Sequence, residues 1–184
     1  MGSFEAVVEI CRAVRVVGGR GFVVGGGARD RIVGEGVSED FDVEVFGVPG
    51  SEMIDVLSGR FAVDLVGETF AVVKLRGLDV DVSLPRRDSR AGIGHRGFTV
   101  EADPEMTVEE AAVRRDFTIN SVYWDPLTDE YVDPCGGVAD IGARVLRHTS
   151  ESFAEDNLRV LRGRSSSPGS GSSRRPRRWS CAGP

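Results

Sequence analysis

Apolar and polar positions alternate with two distinct periods along this chain. Phe4 to Val17 places Val7, Ile10, Cys11 and Val14 at helical spacing, so a helix is expected there. Period-two or short apolar runs follow at Gly21 to Val24, Phe41 to Phe46, Phe61 to Val66, Phe70 to Leu75 and Leu78 to Leu84, and they predict strands. A helix is expected at Ala28 to Val33 and another at Ser51 to Leu57. Thr107-Val108-Glu109-Glu110 reads as a capped helix start leading to Arg114, and Ser150 to Arg162 as a further helix capped by Ser150 or Thr149. Pro85 to Gly97, rich in Arg and Gly, reads as a mobile loop. Strands and helices mixed without regular βαβ alternation predict an α+β domain on a mixed sheet.

The 184 residues suffice for one domain with a usable core. After Gly163 the chain becomes almost entirely Arg, Ser, Gly and Pro, a composition that cannot bury a core. Five of the 23 basic residues lie in those last 21 positions, so residues 1–163 carry 18 basic against 29 acidic residues, a net of −11. Affinity for a phosphate backbone comes mainly from Lys and Arg, so a domain this acidic binds nucleic acid poorly by itself. Cys11, Cys135 and Cys181 lack metal or redox spacing and suggest small buried hydrophobes in a reducing cytoplasm. No apolar run approaches a membrane span, and the N-terminus lacks the order of a signal peptide, so a cytoplasmic protein without membrane contact is expected.

Candidate chemistry begins at Ser38-Glu39-Asp40-Phe41-Asp42-Val43-Glu44-Val45. In a strand, residues i and i+2 share a face, so Asp40 and Asp42 project side by side, roughly 7 Å apart. Such a pair suits either a solvated strand edge or Mg²⁺, an ion held by one or two carboxylates plus substrate phosphates. Upstream, Val24-Gly25-Gly26-Gly27-Ala28-Arg29-Asp30 follows a strand and opens a helix. Glycines there let the backbone approach a phosphate, and successive N–H groups form an anion-binding concavity. A dinucleotide fingerprint requires glycine at position 30, where Asp30 stands, and is rejected.

Three more segments contribute. Arg114-Arg115-Asp116-Phe117-Thr118-Ile119-Asn120 combines guanidinium forks suited to triphosphate oxygens with Asp and Asn suited to ribose hydroxyls. Asp133-Pro134-Cys135-Gly136-Gly137 reads as a turn able to act as a hinge. In Glu155-Asp156-Asn157-Leu158-Arg159, Asp156 and Arg159 share a helix face and can offer acceptors and donors to a base edge. Taken singly, the Arg pair also fits a solvated charge run, and Glu155 with Arg159 a surface ion pair.

In this order the motifs resemble the head of class II tRNA nucleotidyltransferases, the CCA-adding enzymes, and their relatives the bacterial poly(A) polymerases, in the DNA polymerase β superfamily. The resemblance spans residues 20–163. It implies a nucleotidyltransferase head over residues 1–148, a mixed sheet flanked by helices, and the start of a helical neck over 149–163. It further implies phosphate contacts from Gly25, Gly26 and Arg29, two Mg²⁺ ions on Asp40 and Asp42, and nucleotide contacts from Arg115, Asp116 and Asn120. Asp156 and Arg159 would select the incoming base; the one departure is Asn157, where the family usually has proline. Asp79 or Asp81 suits either a third carboxylate or a solvated strand face. His95 and His148 suit loop or core roles.

The implied reaction is two-metal phosphoryl transfer, with ions about 4 Å apart, adding nucleotides from CTP and ATP to the 3′ end of tRNA. Poly(A) polymerase, a C-only or A-only enzyme, and a non-catalytic nucleotide-binding module are the alternatives. The family continues past the template helix into an amphipathic neck, where this chain has Gly163 to Ser172. Codons can be chosen for that peptide whose shifted frame encodes Ala-Gln-Phe-Val-Ala-Arg-Phe-Gly-Phe. Residues 164–184 are therefore expected to be a frameshifted end, natural or a sequencing error, and the chain a head with little or no tRNA extension alone.

Overall fold

A computed structural model describes residues 1–34, 40–66, 72–90, 98–149 and 180–181. The first helix, α1 (Ser3–Val16), buries Ala6, Val7, Ile10, Cys11 and Val14, the stripe its periodicity predicts. It leads into β1 (Arg20–Val24), α2 (Gly25–Val33), β2 (Phe41–Phe46), α3 (Gly50–Ser58), β3 (Val63–Val66), β4 (Val72–Leu75) and β5 (Val80–Ser83). A hairpin follows, β6 (Arg86–Arg90) with β7 (Phe98–Ala102), then α4 (Val108–Val113), a 3-10 turn over Thr118–Asn120, β8 (Tyr123–Asp125), β9 (Glu130–Val132) and α5 (Gly137–Ala143). The backbone of β10 (Val145–Leu146) pairs in parallel with Ser180–Cys181.

The main sheet has strand order β3-β4-β5-β2-β1-β8-β9. Only β2 and β5 run parallel among these pairings, so the sheet is mixed, as expected of an α+β head. Its register sets Val23, Val43, Val82 and Val73 in one transverse row and Asp42, Asp81 and Lys74 in the next. Adjacent rows point to opposite faces. The valine rows, with Phe41, Val45, Leu75 and Val80, form the main core against α1 and α3. On the other face, Phe22, Val24, Phe46 and Tyr123 pack under Ala111 and Ala112 of α4, leaving the Asp42 and Asp81 end outside that cluster.

Thr107 caps α4 as read from sequence: its hydroxyl accepts from the Glu110 amide, and the Glu110 carboxylate accepts from the Thr107 amide. Two expectations need correction. Helix α2 begins at Gly25 rather than Ala28, so the glycines form its first turn. Arg86 to Arg90 is a strand rather than loop, because β7 supplies a complete antiparallel partner. The Asp133 to Gly137 segment is a turn tied by its own hydrogen bonds and packed closely at Gly137. Asp133 accepts from the Gly137 and Val138 amides, and a Cβ on Gly137 would lie 2.1 Å from the Thr118 carbonyl oxygen. The helix expected over 150–162 and the tail from 164 lie outside the described residues, apart from the backbone of 180–181.

Candidate active site

The site forms where the end of β1, the start of α2 and strand β2 meet the turn after α4. Gly25 adopts a left-handed φ of 64°, which a residue with a Cβ rarely tolerates. A Cβ there would lie 3.6 Å from Asp42 Oδ2 and 3.9 Å from Arg115 Nη1. The glycine turn, the second aspartate and the second motif's arginine therefore converge on one point. The first amides of α2 also lack intrahelical acceptors, which makes this end attractive to an anion.

Asp40 and Asp42 are both exposed at the mouth of β2. Asp81 stands beside Asp42 on the parallel neighbour β5, so strand register settles which of Asp79 and Asp81 faces it. Its carboxylate pairs with Lys74 from β4. Partial desolvation raises the Asp42 pKa above the ordinary carboxylate range; Asp40 and Asp81 add to the rise, while Arg115 and Lys74 oppose it. Such crowding favours a cation. Among the described residues no three His, Cys, Asp or Glu side chains converge closely enough to cage one. Two carboxylates nonetheless fit Mg²⁺, which completes its shell with water and substrate phosphate oxygens.

Arg115 is held from below. Its Nε donates to the Tyr123 hydroxyl at 3.2 Å and its Nη2 to Glu44 Oε2 at 3.0 Å. Burial works against the guanidinium charge, yet Glu44 and Tyr123 drive its pKa higher. Tyr123 is itself fixed by edge-on contacts with Phe22 and Phe46.

A second network joins the two motifs. Arg29 is buried, with Nε and Nη2 on Asp30 and Nη1 on Asn120 Oδ1 at 3.2 Å. Asn120 Nδ2 in turn donates to Asp116 Oδ1 at 3.1 Å, which also accepts from the Phe117 amide. Arg29 and Asn120 thus brace α2 against the second motif. Gly26 borders the same brace, with a Cβ position 3.7 Å from Arg29 Nη2. Asp156 and Arg159 lie outside the described residues, as does His95; the half-buried His148 forms an antiparallel backbone bridge with Phe117.

Glu44, Tyr123 and Lys74 escaped the sequence reading. Glu44 had a visible signal, since it shares the parity of Asp40 and Asp42 on β2. Tyr123 and Lys74 gain meaning only through register and packing.

Residues 21–147 match the family model described as the Poly A polymerase head domain. Over 141 residues the chain is 43% identical to a protein named multifunctional CCA protein from Stenotrophomonas maltophilia, covering 77% of this chain and 33% of that one. A protein of the same name from Xylella fastidiosa is 40% identical over 143 residues, 78% of this chain and 33% of its own. In fold the chain is similar to the Bacillus stearothermophilus CCA-adding enzyme in complex with CTP, with a TM-score of 0.75 and 24% identity over 99% of this chain and 41% of that one. The chain spans about a third of the length of the curated relatives it matches.

Proposed function

The chain belongs to the poly(A) polymerase head-domain family, a family of nucleotidyltransferases, and from that premise we propose that it is the catalytic head of a tRNA nucleotidyltransferase. Its reaction is template-independent addition of CCA to the tRNA 3′ end from CTP and ATP. The observation that carries this reading is the meeting of Gly25, Asp42 and Arg115 at one point.

Asp40 and Asp42 would hold two Mg²⁺ ions through their carboxylates. When bound there, the two ions would neutralise triphosphate charge and lower the pKa of the attacking 3′-hydroxyl. Gly25 leaves room for a phosphate, and the first amides of α2 donate to it. Arg115, already oriented by Glu44 and Tyr123, directs Nη1 toward the same place and stabilises the charge that develops on the leaving pyrophosphate. Asp116 and Asn120 line the position for the ribose hydroxyls, and Asp156 and Arg159 read the base edge. The chain's own work is positioning and electrostatics.

The test replaces the head and the following template segment of the Stenotrophomonas maltophilia relative with residues 1–163, so that Asp156 and Arg159 travel with the graft, and supplies a tRNA lacking CCA. Addition of C, C and A, reduced about a thousandfold by Asp42→Ala, is the expected result. Addition of A alone assigns poly(A) polymerase or A-adding activity, and C alone a C-adding enzyme. A folded chimera that binds nucleotide without extending RNA makes the head a binding module. Residues 1–184 alone are expected to bind Mg²⁺ and nucleotide yet extend tRNA weakly, because the acidic head lacks a strong grip on RNA.

A further inference from the structure

Glu44 is a buried carboxylate on β2, the strand that carries Asp42 and that Asp40 immediately precedes, two residues beyond Asp42 on the same face. It accepts from Arg115 Nη2 at 3.0 Å, while the Tyr123 hydroxyl accepts from Nε and the Tyr123 ring lies 5.3 Å from the guanidinium carbon. The guanidinium is thus gripped along its Nε and Nη2 edge, and its Nη1 end faces the Gly25 turn and Asp42. The exposed Asp42 stands at that turn, and the exposed Asp40 lies two residues before it. An arginine beside a carboxylate forms a forked, charge-assisted pair unless something stronger restrains it. Such a pair on Asp42 would occupy the oxygens a divalent cation needs. Burial makes Glu44 the stronger partner, because separating a desolvated ion pair leaves an uncompensated charge behind.

We propose that Glu44 is a positioning residue that keeps Arg115 from closing onto Asp42, so that one strand presents two carboxylates to a cation and a third to the arginine that would otherwise quench them. The inference rests on the reading of Asp40 and Asp42 as a divalent-cation pair. Its consequence is competition: without Glu44, Arg115 and the cation seek the same carboxylate.

The experiment measures Mn²⁺ binding to the 184-residue chain by electron paramagnetic resonance without nucleotide, so that no turnover enters. Glu44→Ala is expected to weaken Mn²⁺ about tenfold, the size of one charge-assisted contact. The double variant Glu44→Ala with Arg115→Ala is expected to bind at least as tightly as the wild type, because the competitor is gone. Glu44→Gln keeps an acceptor for Nη2 and serves where Glu44→Ala fails to fold. It is expected to weaken Mn²⁺ less than tenfold, and to lose that weakening when Arg115 is also removed. A weakening that survives removal of Arg115, or no weakening at all, overturns the proposal. Asp42→Asn in the wild-type background separates the two readings: if it leaves Mn²⁺ binding unchanged, the cation pair itself fails.

Discussion

Asp42 and Asp81 stand side by side on the parallel strands β2 and β5, and Lys74 reaches Asp81 from the far side. Their repulsion adds to the desolvation that raises the Asp42 pKa, and Lys74 opposes it. Asp81→Asn is therefore expected to lower the Asp42 pKa and Lys74→Met to raise it, read from the carboxyl carbon shift by NMR titration. Equal titration in both variants would show that the row across the sheet carries no coupling.

Arg29 is expected to matter for stability first. Its side chain, 9% exposed, joins Asp30 to Asn120 through the guanidinium and so links α2 to the second motif. Arg29→Met removes that brace and leaves Asp30 and Asn120 without it, a loss of about 3 kcal/mol in urea unfolding. Mn²⁺ affinity should change less than in Asp42→Asn. The opposite order would make Arg29 a ligand-contacting group.

At Gly137 the issue is space. A Cβ there meets the Thr118 carbonyl at 2.1 Å and Val122 at 2.7 Å, whereas one on Gly142, in the same helix, meets nothing within 4 Å. Gly137→Ala is expected to destabilise by about 3 kcal/mol through overpacking. Gly142→Ala should stabilise by about 0.5–1 kcal/mol through helix propensity. Similar denaturation midpoints for the two variants would contradict the close contact.

Acid should weaken the domain through Asp125 and Asp140. Burial pushes both pKa values up, but the Leu127 amide with Arg20 and Arg15, and Arg147 with Thr118, outweigh it and hold both below the ordinary range. A carboxylate with a depressed folded pKa contributes stability above its unfolded value, about 3.9, and loses it as pH falls through the folded value. Stability should therefore decline below about pH 4. Asp125→Asn should cost stability at neutral pH and converge toward the wild type in acid; parallel curves would refute the assignment.

Much of this was legible in the sequence because local rules and tertiary packing agree. The valines of β2 alternate with Asp42 and Glu44, and the buried stripe of α1 follows its helical period. Burial of Glu44 was not legible, since its partner Arg115 lies 71 residues away and no local pattern shows that pairing. The close contact at Gly137 was not legible either, since glycine serves both mobility and tight packing and only the folded chain brings Thr118 and Val122 against it. Arg86 to Arg90 has a loop-like composition, yet β7 satisfies its backbone and makes a strand. Asp81 was ambiguous until strand register placed it opposite Asp42.

The pleat of β2 sets Val43 and Val45 in the core and Asp42 and Glu44 on the opposite face. A slip of one residue would bury the aspartates and expose the valines, so no alternative register keeps the core. Core formation and site formation are consequently a single cooperative event. A cation or nucleotide that recognises Asp42 therefore recognises only the folded chain, and by mass action its presence raises the melting temperature of the whole domain.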